Sequence, residues 1–319
     1  MVTDVAQWTD HTRRGVDAME PLRMKWLMLS TISWVIVIVG AGATCLVYSS
    51  HQHDPAPAWI TAGGALVAAL VFHAMASAQS KLLQTRFDQW RAKTVSMIDD
   101  TASFAARNGI PQSDFDGSGL NDATYNRYSS WDQLHVGSVR SGALSVKHVY
   151  QETYWVTEYH TDSQGRSQSR QVQKTRTVVV PVFDGALLVV EAKLPHPTWL
   201  MVRHKKQGLP KGLTRMTVAS PSLANHCAVG AADQFAAHRV LTPSFMEKIW
   251  DFTTQFSSMP GYSYRHELLY LTLPGFSFNV GKRPAKWSPV TTARLEEVKH
   301  ACEGSIAFLN NAAAKLKPT

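Results

Sequence analysis

At 319 residues, 45% hydrophobic and only 18% charged, the chain has room for a membrane-associated part beside a folded domain. Its formal net charge of +8 points to a negative partner, which composition alone leaves open among nucleic acid, an anionic membrane surface and an acidic protein. Cys45, Cys227 and Cys302 lie far apart with no Cys-x-x-Cys pair; this argues against a disulfide framework or a zinc site and fits a reducing compartment.

The stretch WLMLSTISWVIVIVGAGATCLVY, residues 26–48, holds no charged side chain and is long enough to cross a hydrocarbon core of about 30 Å. A second uncharged run, AWITAGGALVAALVFHAMASA, covers residues 58–78 and is richer in Gly and Ala. Small residues let helix backbones approach closely in lipid, so Gly40, Gly42, Gly63 and Gly64 are expected to pack the two spans as a hairpin. A signal peptide fits poorly, because the first run starts late and lacks a cleavage site. Arg13, Arg14, Arg23 and Lys25 precede the first span, and Lys81, Arg86, Arg91 and Lys93 follow the second. The loop between them has no Lys or Arg, so by the positive-inside bias both termini are expected in the cytoplasm, with only this loop outside. Trp26, Trp34 and Trp59 are the expected interface anchors.

Residues 1–80 thus read as an N-terminal segment with two spans, and 81–110 as a juxtamembrane amphipathic helix carrying Leu83, Phe87, Trp90, Met97 and Ile98. Residues 111–319 read as a cytosolic α+β domain with an antiparallel sheet and packed helices. After a polar loop, SVRSGALSVKHVYQETYWVTEYH and RQVQKTRTVVVPVFDGALLVVEAKL predict a long hairpin, with a tight turn at Asp184-Gly185. The stretch YSYRHELLYLTLPGFSFNV predicts a strand pair broken at Pro274-Gly275. A final helix from about Thr291 to Ala313 places Leu295, Val298, Cys302, Ile306 and Leu309 on one face.

The stretch DQFAAHRVLTPSFMEKIWDF, residues 233–252, raises the choice between a catalytic segment and a structural joint. Thr242 suits an N-cap and Pro243 the first helical position, with Met246, Ile249, Trp250 and Thr253 on the buried face. His238 and Arg239 are placed in an extended piece before that helix, and the joint is the expected reading. This stretch, with VFDGALLVVEAKL and the two-span N-terminus, resembles a bacterial membrane family of unknown function often encoded beside LemA-type proteins. Asp233, Ala237, Arg239, Leu241, Thr242 and Pro243 fit its Asp-x-x-x-Ala-x-Arg-x-Leu-Thr-Pro segment, and Phe183 and Gly185 its aromatic-x-Gly strand turn. SLANHCAVGA departs from its pattern, where a more aromatic strand is expected. The resemblance implies an architecture and brings no catalytic motif.

Other candidates carry chemistry. Asp114, Asp116, Ser118, Gly119 and Asp122 occupy positions 1, 3, 5, 6 and 9 of a calcium loop, but Tyr125 replaces the bidentate Glu, so a plain turn is the competing reading and useful binding is not expected. His51, His53 and Asp54 could hold a metal between the spans, although His-x-His is a common accident. His73 is ionisable within a span. Arg203, Lys205, Lys206, Lys211 and Arg215 form a basic loop suited to anionic headgroups or simply to water. Nucleic acid ranks third, for want of a binding module. No Walker, GxGxxG, GxSxG or HExxH signature occurs; HELLY at His266 ends in Tyr270, and no cofactor is expected. The leading expectation is a non-enzymatic inner-membrane protein binding a partner or ligand as adaptor, sensor or assembly factor, with the bilayer and a protein partner or itself as contacts. Its rivals are a ligand-gated membrane-perturbing effector that oligomerises through the hairpin, and an enzyme with a dispersed site.

Overall fold

A computed structural model describes residues 5–50, 56–161, 167–192, 198–278, 280–281 and 287–317. In chain order the elements are α1 (Val5–Ser50), α2 (Ala56–Ile98), β1 (Ala102–Ala105), α3 (Gln112–Ser118), β2 (Arg127–Val136), β3 (Val139–Thr161) and β4 (Ser167–Glu191). They continue with β5 (Leu200–His204), β6 (Thr214–Arg215), α4 (Pro221–His226), β7 (Cys227–Ala231), α5 (Gln234–Val240) and α6 (Pro243–Thr253). Last come β8 (Gly261–Arg265), β9 (Leu268–Pro274) and α7 (Thr292–Leu316). The chain divides into two compact units: Met1–Ser103 with Asn279–Ile306, and Phe104–Phe278 with Ala307–Thr319.

In the first unit, α1 and α2 form an antiparallel pair of 46 and 43 residues, far more than the 20 or so needed to cross hydrocarbon. Each is two helices in one by composition. The runs 26–48 and 58–78 are apolar and largely uncovered, with Ile38 67% and Trp59 74% exposed. The remainder of each is amphipathic and packs with the first part of α7, around Trp8, Met19, Phe87, Trp90, Val95, Leu295 and Cys302. Gly15 is required there, since a Cβ would lie 2.6 Å from Trp90 Nε1 and 3.0 Å from Leu295 Cδ1. The helical stretch before Trp26 carries no pattern in the sequence that announces it. The juxtamembrane helix continues from the second run as expected, but ends at Ile98 and gives way to β1 before residue 110.

The polar seams of this unit are specific. His11 stacks on Trp90 with ring centroids 5.3 Å apart, and its Nε2 lies 3.1 Å from Thr94 Oγ1. Arg91 donates to Asp88 at 2.8 Å and to the Gly281 carbonyl at 3.1 Å, so a buried cation is paired. Glu20 accepts from Arg23 and from the Val290 N–H at 2.9 Å. The Arg23 bonds hold its carboxyl below the usual range. Trp26 packs edge-on against Trp287 at 4.8 Å and is buried, so it is no interface anchor, whereas Trp34 and Trp59 are exposed.

The second unit is built on a sheet that, among the described residues, has nine strands in the order β1-β2-β3-β4-β9-β8-β5-β7-β6. The registered pairs are antiparallel. Its centre is covered on both faces, which is why the run ALLVV in β4 is continuously apolar rather than alternating. On one face α3 sets Phe115 against Leu144, Val146, Leu187, Val189 and Tyr270. On the other, Tyr262 shares a 2.8 Å hydroxyl contact with Thr253 of α6, and Tyr264 donates to the Leu316 carbonyl at the end of α7. Leu295, Val298, Cys302, Ile306 and Leu309 of α7 are all buried, as its spacing predicts.

Several expectations are corrected. The Asp184-Gly185 pair makes no turn: β4 runs through it, facing Ser145 and Leu144. Gly185 is needed because a Cβ there would run into the Leu273 carbonyl of β9, and the Gly275 N–H bonds Asp184 O at 2.8 Å. The break in the β8–β9 pair falls at His266 and Glu267, both at positive φ (51° and 62°), not at Pro274-Gly275, where the chain leaves the sheet. HELLY therefore begins in a hairpin turn. The expected polar loop before Val139 instead contains β2, joined to β3 through Gly137 (φ 54°) and Ser138.

β3 and β4 also outrun their neighbours. β2 pairs with β3 only as far as Lys147, and β9 with β4 only between Gly185 and Glu191. A bulge opposite Val146 and Lys147 leaves Val182 unpaired with β3 and places Pro181 where the two strands leave the sheet. From there His148–Thr161 and Ser167–Val180 form a two-stranded arm about 46 Å long at 3.3 Å per residue. The turn predicted between them lies outside the described residues at 162–166.

Candidate functional site

A groove of about 570 Å³ in the second unit is lined by residues from four separated segments. β5 supplies His204, and the following loop Gln207. The end of α4 supplies His226, α6 supplies Trp250 and Thr253, and residues 256–259 supply Phe256 and Met259. Local structure explains each placement. His204 faces Cys227 across the β5–β7 ladder, and the Lys205 N–H bonds the His226 carbonyl at 3.0 Å, which brings both histidine positions to one end of the sheet. α4 is started by Ser220, whose hydroxyl caps the Leu223 N–H, with Pro221 following. α6 is started by Thr242 and Pro243, as the sequence predicts, with the Thr242 hydroxyl accepting from the Phe245 N–H at 3.3 Å.

The apolar floor is firm. Phe256 packs against Phe252, Phe276 and Phe308 with centroids 5.2, 5.9 and 6.0 Å away. Trp250 lies beside the His226 ring at 5.0 Å. The hydrogen bonds fix the imidazole tautomers of the neutral rings. His226 Nδ1 sits 3.0 Å from the Ser222 carbonyl, which can only accept, so Nδ1 carries the proton and Nε2 is left as an acceptor. His204 Nδ1 accepts from the Lys206 N–H at 3.1 Å, which leaves Nε2 as a donor. The groove thus combines an aromatic floor with one donor imidazole, one acceptor imidazole and the exposed amide of Gln207. Cys227 brings no nucleophile, because burial pushes its thiol up to about 12.

A narrower cleft of about 90 Å³ shares Gln207, Met259 and Pro274 with the groove and adds Phe183 and Arg203. Arg203 is only 3% exposed; it pairs with Asp122 at 2.7 Å and donates through Nε to the Gly208 carbonyl. It is therefore a structural cation and not an anion contact. Lys205, Lys206, Lys211 and Arg215 are exposed, as a membrane-surface or solvated loop requires.

The calcium-loop reading fails on geometry. Residues 112–118 are helical, ended by Gly119 at φ 64°, so the donors point to separate partners. Asp114 pairs with Arg140 at 3.2 Å, Asp116 accepts from Tyr125 at 2.5 Å, Ser118 donates to Phe115 O, and Asp122 takes Arg203. Among the described residues no cluster of three His, Cys, Asp or Glu could hold a metal. His51, His53 and Asp54 lie outside them. Of the four glycines expected to pack the spans, only Gly40 meets the facing helix, where a Cβ would collide with Ala65; Gly42, Gly63 and Gly64 have nothing within 4 Å. His73 is exposed.

His238 and Arg239 are exposed and helical rather than extended, lying on α5, which Asp233 caps by accepting from Phe235 N and Ala236 N at 2.9 and 3.1 Å. The segment from Asp233 to Thr253 is thus two short capped helices in series. Its bearing on the groove comes through Trp250 and Thr253, while Trp250 is half-buried and not a core residue. The groove has no signature in the sequence because its residues form no local motif.

No solved structure matches the chain. No curated protein matches it. A family model described as a protein of unknown function (DUF3137) matches residues 171–308, a stretch from β4 into α7 that contains every groove residue named above, and over that stretch the chain is similar to that family.

Proposed function

We propose that the protein is a non-enzymatic component of a bacterial inner membrane, anchored by α1 and α2 with both termini in the cytoplasm, whose α+β domain binds a partner or ligand in the His204–His226–Trp250 groove. The observation that carries the anchor is the bareness of the apolar runs. Only 6% of the most apolar window of α1 and 11% of that of α2 is covered, whereas the core helix of a soluble protein would be mostly buried. The observation that carries binding is a firm aromatic floor beside polar groups with unused hydrogen-bonding capacity, the usual make-up of a ligand pocket. The recognised group is one with a flat or apolar face and both a donor and an acceptor, and the exposed Lys205 and Lys206 next to His204 favour negative charge on it. LemA-type proteins are the first partners to try.

A photo-reactive amino acid at Ser258, in cells expressing the full chain, tests this reading. An adduct that is lost in Trp250→Ala and kept in Lys248→Ala is the expected result. Adducts indifferent to Trp250 would refute the groove as the binding site. The open backbones at Gly42, Gly63 and Gly64 favour a second reading, a membrane-perturbing hairpin that oligomerises. Toxicity on overexpression that disappears in Gly63→Leu is its signature.

A further inference from the structure

The two faces of the β3–β4 arm differ in chemistry. One carries the cross-strand pairs Glu152–Arg176, Tyr154–Lys174 and Glu158–Arg170, with ion pairs Arg176–Glu152 and Lys174–Glu158 at 2.7 Å and Arg176 over the Tyr154 ring. The same face also carries Tyr150↔Val178 and Val156↔Val172, so what separates the two faces is charge and not apolarity. The other, reading along the ladder from Val149↔Val179 to Tyr159↔Ser169, holds no charged side chain at all. Between those ends lie Gln151↔Thr177, Thr153↔Thr175, Trp155↔Gln173 and Thr157↔Gln171, and Trp155 and Tyr159 are 65% and 77% exposed. A two-stranded ribbon without a third layer is marginal in water.

From this segregation we infer that the uncharged face is the contact between two copies of the chain. Its occupant must be uncharged and matched to the same spacing, and the face itself meets both conditions. Turned about a two-fold axis between Thr153 and Trp155, the face sets Val149 of one copy against Tyr159 of the other, and Gln151 against Thr157. Apolar ends meet apolar ends, and Thr and Gln side chains donate and accept among themselves. The uncharged stretch is about 36 Å long and about 10 Å wide, so the pair buries about 700 Å² in total, which is small for a freely diffusing dimer. Confinement of both copies to one bilayer supplies the missing effective concentration. The contact goes beyond the proposed function; it rests on the proposed membrane anchor and not on what the groove binds.

Disulfide cross-linking of the full chain in native membranes tests it, with Cys45→Ser to remove the exposed native thiol. Thr153→Cys or Thr175→Cys, each one residue from the axis, or Gln151→Cys combined with Thr157→Cys, should give a cross-linked dimer on oxidation, and Glu158→Cys or Lys174→Cys, on the opposite face, none. Adding Trp155→Glu or Thr177→Glu should cut the cross-linked fraction at least tenfold, while Glu158→Gln leaves it unchanged. Equal cross-linking from both faces, or a dimer indifferent to both introduced charges, would overturn the contact. So would cross-linking of the uncharged face to a different protein, because the partner would then not be a second copy.

Discussion

The guanidinium of Arg203 and the carboxylate of Asp122, 81 residues apart in sequence, lie 2.7 Å from each other, with Arg203 buried and Asp122 half exposed. The pair closes the strand β5 onto the loop after α3 and removes two residues from functional candidacy at once. Asp122→Ala should lower stability by about 1–2 kcal/mol, discounted for the exposure of the carboxylate, and Arg203→Ala by about 3 kcal/mol, because the Gly208 carbonyl and the packed stem are lost too. Denaturant unfolding of the purified chain reads both values, and a neutral Asp122→Ala would show that the pair is incidental.

The two helix starts after β7 give a second prediction. Asp233→Ala and Thr242→Ala should each cost about 1 kcal/mol, with Asp233 the larger because its carboxylate accepts two N–H bonds. Phe252→Ala, fully buried, should cost about 3–5 kcal/mol, whereas Trp250→Ala, half-buried at the groove wall, should cost less and act on binding instead. Equal melting of the Phe252 and Trp250 variants would contradict this ordering.

His11 makes the first unit sensitive to pH. Burial, then the nearby Lys93 charge, lower its value below the ordinary 6.5, while the Trp90 backbone bond opposes them and Arg14 and Asp10 act weakly in opposite senses. The unfolded chain therefore takes up the proton first. The stability contributed by the neutral ring is complete above about pH 6.5 and declines as pH falls below it. Melting of the detergent-solubilised chain from about pH 7.5 to 5.5 should show this decline, and His11→Gln should flatten it. An unchanged slope in that variant would assign the pH dependence elsewhere.

The β8–β9 turn places two non-glycine residues at positive φ, a conformation costing L-residues about 1–2 kcal/mol each. Glu267→Gly should accordingly stabilise the sheet by about 1 kcal/mol, and Glu267→Val should destabilise it. Thermal melts read both effects; stabilisation by valine would contradict the turn geometry.

What could be read from the residues was whatever their local pattern expressed. The apolar runs, the long hairpin, the Thr242–Pro243 start and the buried stripe of α7 each have a period or a capping pair within a few residues. β2 has no such signal, because RYSSWDQLHV is mixed in polarity, with burial that becomes strong only at Leu134 and Val136. The Asp184-Gly185 dipeptide imitated a turn, although its glycine answers to a carbonyl on a strand 88 positions later, Leu273. The same limit hid the groove. His204, His226, Trp250 and Phe256 meet only through strand order, and the calcium-like spacing from Asp114 had no means of revealing that a helix would turn its donors apart.

The proposed anchor and its orientation are tested most directly by an impermeant thiol reagent applied to intact cells expressing the chain with Cys45→Ser. A cysteine at Ser50, at the end of α1, should be labelled, and one at Ser169, exposed on the β3–β4 arm, should be labelled only after the cells are opened. Labelling of Ser169→Cys in intact cells with Ser50→Cys protected would reverse the orientation. Protection of both until lysis would contradict the membrane crossing itself.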